Sequence, residues 1–322
     1  MTLTQKMLLL CPIAAMTLVG CTANQGAIAP KGSSQAFGST HAAQSSGLIY
    51  VSGAQCNCVQ IYRESDAKLV GEITNGLSGP LGMAVDSAQN LYVANRAEWG
   101  KSNVLVFHKG ETTAFRTIAD PWGWANDVAV DTNGTVFLVN YADFPPRERG
   151  GEVSVFPPGQ SKPIGFIKDE TKNKKFYGVS AAALDSNHNL YITFWNGVGT
   201  AYVDEYYQTS GGKAGLKNLG ISAVGNGYFD VVLDNQNDVV TQGANTGLIA
   251  VYPPGQNTPS ETIAASSPGM MAFDESKSNL YVVSQSSTYG FYEFSYPAGQ
   301  LEKTVTDGWG PLNIPSGIAV SP

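Results

Sequence analysis

The chain has 322 residues, a formal net charge of -7, and 14% charged against 43% apolar residues, enough apolar matter for a large core. Its cations form no stripe or cluster, which argues against a nucleic-acid partner. Low charge combined with 36 glycines points to an all-β protein with many tight turns.

The first segment stands outside any fold. Lys6 opens a short positive stretch, and Met7 to Gly20 is an apolar run too short to cross a bilayer as a mature helix. It ends in Leu18-Val19-Gly20-Cys21, which resembles the lipobox of bacterial lipoproteins. The resemblance implies cleavage before Cys21, acylation of its thiol, and anchoring to a membrane on the periplasmic or cell-surface side. Residues 1–20 are thus expected to be a signal peptide. Residues 21–46, rich in Ala, Gly, Ser and Gln, read as a flexible tether. Cys11 leaves with the signal, and Cys56 and Cys58 remain. In a regular strand two such side chains sit too far apart to bridge, whereas a turn would allow it. The pair supplies at best half of a metal site.

From residue 47 onward a repeat runs to the C-terminus. Gly79-Pro80-Leu81-Gly82-Met83-Ala84-Val85-Asp86 is followed by Leu91-Tyr92-Val93 and Val104-Leu105-Val106-Phe107. The same order of segments returns around Asp131, Asp185, Asp234 and Asp274, at separations of 45, 54, 49 and 40 residues. Several short β-branched and aromatic segments per period of about 40–50 residues are the pattern of propeller blades. Each Asp opens a polar hairpin such as Asp131-Thr132-Asn133-Gly134. A second turn recurs as Pro157-Pro158-Gly159-Gln160, Pro253-Pro254-Gly255-Gln256 and Pro297-Ala298-Gly299-Gln300. The chain begins this region with Leu48 to Val51 and Val59 to Tyr62, a unit lacking its first strand, and ends with Pro315 to Val320, a first strand lacking its unit. Residues 47–322 are therefore expected to form a six-bladed, all-β propeller of four-stranded blades, closed by the C-terminal strand pairing into the N-terminal blade.

This grammar resembles the NHL repeat and the related gluconolactonase-like propellers over roughly residues 47 to 321. The resemblance is specific for fold and weak for function. It implies that a ligand meets the face built from the loops joining blades and the loops joining second to third strands. Trp99, Trp122, Trp124, Trp195 and Trp309 all fall in those loops, and Tyr141, Tyr177 and Tyr228 join them. Aromatics on loops are costly unless packed or used. A dish of them suits stacking on a glycan or docking a protein or peptide, and the alternative is that they wedge between blades.

Gluconolactonase-like enzymes hold a divalent metal at the channel mouth through Glu and Asn or Asp side chains at the starts of blades. Asn126-Asp127 matches that pattern. The positions five before the other hairpin aspartates hold Leu81, Ser180, Phe229 and Gly269, Asp230 stands one residue off, and Ser316 occupies the place of the Glu. Asn126, Asp127 and Asp230 are thus the candidate ligands of an incomplete site, because a hard cation wants six or more oxygens. Histidine chemistry has no foothold. His41 lies in the tether, and His108 and His188 lie in turns of the opposite face. The acidic hairpins at Asp185 and Asp234 read as turn chemistry. The expectation is a monomeric, lipid-anchored binding module with no cofactor beyond a possible divalent cation. A metal-dependent lactone or ester hydrolase is the alternative.

Overall fold

The computed structural model describes residues 47–322 apart from 99, 122, 142–149, 169–175, 197–199, 209–213, 225–229, 243–246 and 286–287. Cys21, the tether, Trp99, Trp122 and Tyr228 lie outside the described residues. No described helix is long and apolar enough to cross a membrane. The described strands form six four-stranded antiparallel sheets, the six blades of a propeller.

The innermost strands, taken from blade 1 to blade 6, are Gly317–Ser321, Pro80–Val85, Ala125–Val130, Gly178–Leu184, Val231–Leu233 and Pro268–Phe273. In blade 1 the innermost strand comes from the C-terminus. It pairs with Leu48–Gly53 in the register Leu48↔Ser321 to Ser52↔Gly317, so the expected closure is present.

Each hairpin aspartate shows why it recurs. Oδ1 of Asp131 accepts the N–H groups of Asn133 (2.9 Å) and Thr135 (2.7 Å). Asp185 does the same for Asn187 and Asn189, and Asp234 for Gln236 and Asp238. A side chain that satisfies two turn donors pins the hairpin. The residue two before the return strand adopts positive φ at Gln89 (64°), Gly134 (86°), His188 (65°), Asn237 (60°) and Lys277 (54°). In the Pro-Gly turns between third and fourth strands, Gly159, Gly255 and Gly299 sit at φ 71°, 76° and 64°, a region glycine enters without steric cost.

The core is divided among the blade interfaces. Tyr50, Ile61 and Phe107 join blades 1 and 2. Val106, Leu138 and Phe156 join blades 2 and 3, and Phe176 and Phe194 bring blade 4 onto Val139 and Val153 of blade 3. Blades 4 and 5 meet at Tyr191, Ile221 and Val239, blades 5 and 6 at Ile263 and Tyr292, and blades 6 and 1 at Tyr281, Phe291 and Tyr62. The innermost strands surround a central cavity of about 280 Å³.

Cys56 and Cys58 form a disulfide in the turn between the second and third strands of blade 1, with their α-carbons 5.1 Å apart. Asn57 between them takes φ 53°, the turn geometry that a regular strand could not supply. One loop expectation is corrected, since Trp195 ends the strand Leu190–Trp195.

Candidate functional site

On the loop face the described aromatics form an arc over blades 3 and 4. Trp124 precedes the inner strand of blade 3, and its backbone carbonyl accepts the N–H of Tyr141 at 2.9 Å. The carbonyl of Tyr141 accepts the N–H of Val179 in blade 4 at 2.9 Å. The ring of Tyr141 lies against Gly178, where a β-carbon would come within 2.8 Å of it. Tyr177 and Trp195 meet edge to face, with ring centroids 4.8 Å apart. Tyr177 is 53% exposed. The indole N–H of Trp195 is buried with no hydrogen-bond partner among the described residues, an uncommon and costly state for a donor. Trp309 stands elsewhere. It packs against the cluster joining blades 6 and 1 and presses on Gly53, so it serves as a wedge between blades.

Arg96, in the loop after the second strand of blade 2, was not singled out by residue type, yet it ties the arc to the ring. Its guanidinium sits 5.6 Å from the centre of the Trp124 ring and donates to Oδ1 of Asn126 at 2.6 Å, combining cation–π attraction with a charge-assisted hydrogen bond. Asn126 is the extra residue of a bulge, since Ala125 pairs with Asn140 and Asp127 with Val139. A bulge turns a side chain out of the ladder. Here it lets Nδ2 of Asn126 donate to the carbonyl of Ser180 in blade 4 at 2.5 Å.

Asp127 and Asp230 line the central cavity, and each is 6% exposed. They occupy equivalent positions in blades 3 and 5, four residues before Asp131 and Asp234. Counting five residues back hides this match. Each carboxylate fastens its blade to the next. Oδ2 of Asp127 accepts the N–H of Ala182 at 3.0 Å, and Oδ2 of Asp230 accepts that of Met271 at 2.5 Å. Burial raises both carboxyl groups well above the ordinary range, and the negative charge of Asp127 adds to the rise at Asp230. The pair therefore favours holding a proton.

The three candidate ligands do not fit a hard divalent cation. The oxygen of Asn126 already faces a guanidinium. Asp127 and Asp230 each turn an oxygen onto a main-chain N–H. Among the described residues no three His, Cys, Asp or Glu side chains converge on a metal position. The two histidines expected on the far face are there and engaged. His108 stacks on Phe115 with centroids 3.9 Å apart, and Nε2 of His188 lies 3.3 Å from Oγ1 of Thr132.

A closed ring of six four-stranded blades, with an aromatic arc on one face and a carboxyl pair in its channel, defines a six-bladed β-propeller. No family model matches the chain, and no curated protein matches its sequence. Solved structures that share its fold include two of unknown function. A protein of unknown function from Bacteroides caccae superposes with a TM-score of 0.63 at 12% identity, covering 86% of this chain and 99% of its own. A functionally unknown protein from Desulfotomaculum acetoxidans DSM 771 gives a TM-score of 0.57 at 10% identity, covering 85% and 98%.

Proposed function

We propose that this chain is a lipid-anchored, extracytoplasmic binding propeller, NHL-like in its repeat, which takes a protein, peptide or glycan on the aromatic arc of its loop face. The observation that carries the reading is the half-exposed ring of Tyr177 set edge to face on Trp195, whose buried indole N–H has no partner among the described residues. A donor held without a partner is satisfied by an incoming carbonyl or hydroxyl, and the neighbouring ring offers a stacking face. Arg96 adds a fixed positive charge at the edge of the arc.

The test screens the full-length protein against a glycan array and a random-peptide phage library. Selected binders should lose about tenfold or more in affinity with Trp195→Ala and with Tyr177→Ala, while Tyr177→Ala leaves the melting temperature unchanged. Binders that ignore both substitutions would show that the arc is packing alone. The anchoring rests on Leu18 to Cys21. Full-length protein expressed in a bacterium should partition into the detergent phase, and Cys21→Ala should remain with the membrane only as uncleaved precursor or move to the aqueous phase. Unaltered processing and partitioning of Cys21→Ala would remove the lipid from the proposal.

A further inference from the structure

A second cavity, of about 230 Å³, lies on the opposite face, where the hairpin of blade 4 meets blade 5. Its origin is visible in the register of blade 4. Tyr191 pairs with Glu205, and Glu205 pairs with Lys217, so the three side chains form one row across three strands, on the side facing blade 5. Lys217 Nζ holds Glu205 Oε2 at 3.0 Å. Next along the same side come Leu219 and Ile221, which with Val239 of blade 5 give the cavity an apolar wall. The turn Pro253-Pro254-Gly255-Gln256 of blade 5 forms the rim.

Two other blades carry a tyrosine at the same place. Blade 6 carries the same sequence of partners, Tyr281 with Glu293 and Glu293 with Lys303, and the ion pair is again made, at 2.8 Å. There Ala67 and Leu69 of blade 1 pack onto the cluster that contains the tyrosine, which is 1% exposed. In blade 2 the equivalent Tyr92 donates its hydroxyl to Asp86 Oδ2 at 3.1 Å. Tyr191 also packs into the cluster joining its blade to the next, but it lacks the bond that Tyr92 makes. It is 8% exposed, it borders the cavity, and its hydroxyl makes no hydrogen bond to any described residue. Burial, with Glu205 and Asp185 nearby, pushes this hydroxyl up to about 12, so it stays a donor at any physiological pH.

We propose that this cavity between blades 4 and 5 binds a neutral sugar, one pyranose unit of a glycan. The chemistry is that of hydroxyl recognition. Tyr191 donates, Glu205 accepts, and the amides of Asn187 and Gln256 do both. Among the described residues lining the cavity, Lys217 is matched by Glu205 and the Asp185 carboxylate is engaged by the N–H groups of its own hairpin, so a neutral ligand fits better than a charged one. The apolar wall suits the C–H face of a sugar ring. The volume falls below the usual range of about 300–1,000 Å³ for sites that take drug-sized ligands, which favours a single ring over an oligomer. This site is independent of the loop-face reading, because the two lie on opposite faces and respond to different substitutions.

The experiment titrates the full-length protein with glucose, galactose, mannose and N-acetylglucosamine, by saturation-transfer NMR and calorimetry. At least one should bind saturably. Tyr191→Phe, which keeps the ring and removes the donor, should weaken that binding about tenfold. Gln256→Trp, at an exposed turn position outside the core, should block it with an unchanged melting temperature, and it carries the test should Tyr191→Phe unfold. Trp195→Ala on the other face should leave sugar binding as it was. The proposal is overturned if none of the four sugars binds, if a sugar still binds at full strength to both Tyr191→Phe and Gln256→Trp, or if binding is lost with Trp195→Ala instead.

Discussion

Two carboxyl groups in the channel make the ring sensitive to pH. Asp127 and Asp230 each serve as a clasp between blades, and burial raises both above the ordinary carboxylate range. A raised carboxyl binds its proton more tightly in the folded ring than in the unfolded chain. Its stabilising effect is therefore complete below about pH 4 and is lost as pH climbs through the raised value. The slope is at most about 1.4 kcal/mol per pH unit for each proton taken up, and 1 kcal/mol moves the melting temperature by about 2–4 °C in a chain of this size. Melting temperature should accordingly fall by several degrees between about pH 5 and about pH 8. The double variant Asp127→Asn, Asp230→Asn, which keeps an acceptor on each clasp, should flatten the profile and melt above wild type at the alkaline end. Equal slopes for the two proteins would show that the pair is ionised in the folded ring.

At the scale of the element, what could be read in advance was whatever local chemistry dictates. A hairpin aspartate that accepts two turn N–H groups leaves a signature within five residues, and so does a glycine at positive φ after a proline. Those two marks gave the strand order, the period and the blade count. The full length of the outer strands Thr200–Gln208 and Ala214–Val224 of blade 4, beyond the short apolar segment Tyr202-Val203, was not legible because their middle is polar. Glu205 and Lys217 face each other across the pair, and that partnership is set by register, which a linear pattern does not display. The bulges at the start of the inner strands escaped for the same reason. The one at Asn126 decides that Asn126 faces Arg96 while Asp127 faces the channel, so neighbours that looked like one ligand pair have separate tasks. Gly82 belongs to this geometry too. A β-carbon there would lie 2.0 Å from Oδ1 and 2.7 Å from Cα of Asp127, so blade 2 meets the clasp of blade 3 through bare backbone. The aromatic arc was legible as a set of residue types on one face. Which members are wedges and which are open to solvent was not, since Trp309 and Tyr177 are both loop aromatics and differ in that Trp309 packs on the cluster joining blades 6 and 1 while Tyr177 stays half exposed.

The molecule as a whole is held by interfaces between neighbouring blades, and closure makes that arrangement complete. The C-terminal strand Gly317–Ser321 contributes to two interfaces at once. Ala319 belongs to the cluster shared with blade 2 and Ile318 to the cluster shared with blade 6. Its main chain also covers the edge of Leu48–Gly53, and Ser52 links it to the next blade by accepting the N–H of Gly317 at 2.8 Å and donating to the carbonyl of Leu81 at 2.6 Å. Removing Pro315 to Pro322 strips apolar contacts from both interfaces and leaves the N-terminal strand as an open edge, a template for aggregation. A chain of units each touching only its neighbours unravels from such an end, whereas a closed ring has no end to start from. The truncated protein should therefore melt at least about 10 °C lower, over a broader transition, and aggregate at concentrations where the full chain stays dispersed. Circular dichroism during heating, with light scattering on the same samples, separates the outcomes. A truncated chain that melts as sharply and as high as the full one would mean that the remaining five blades and the incomplete first blade hold one another without the latch.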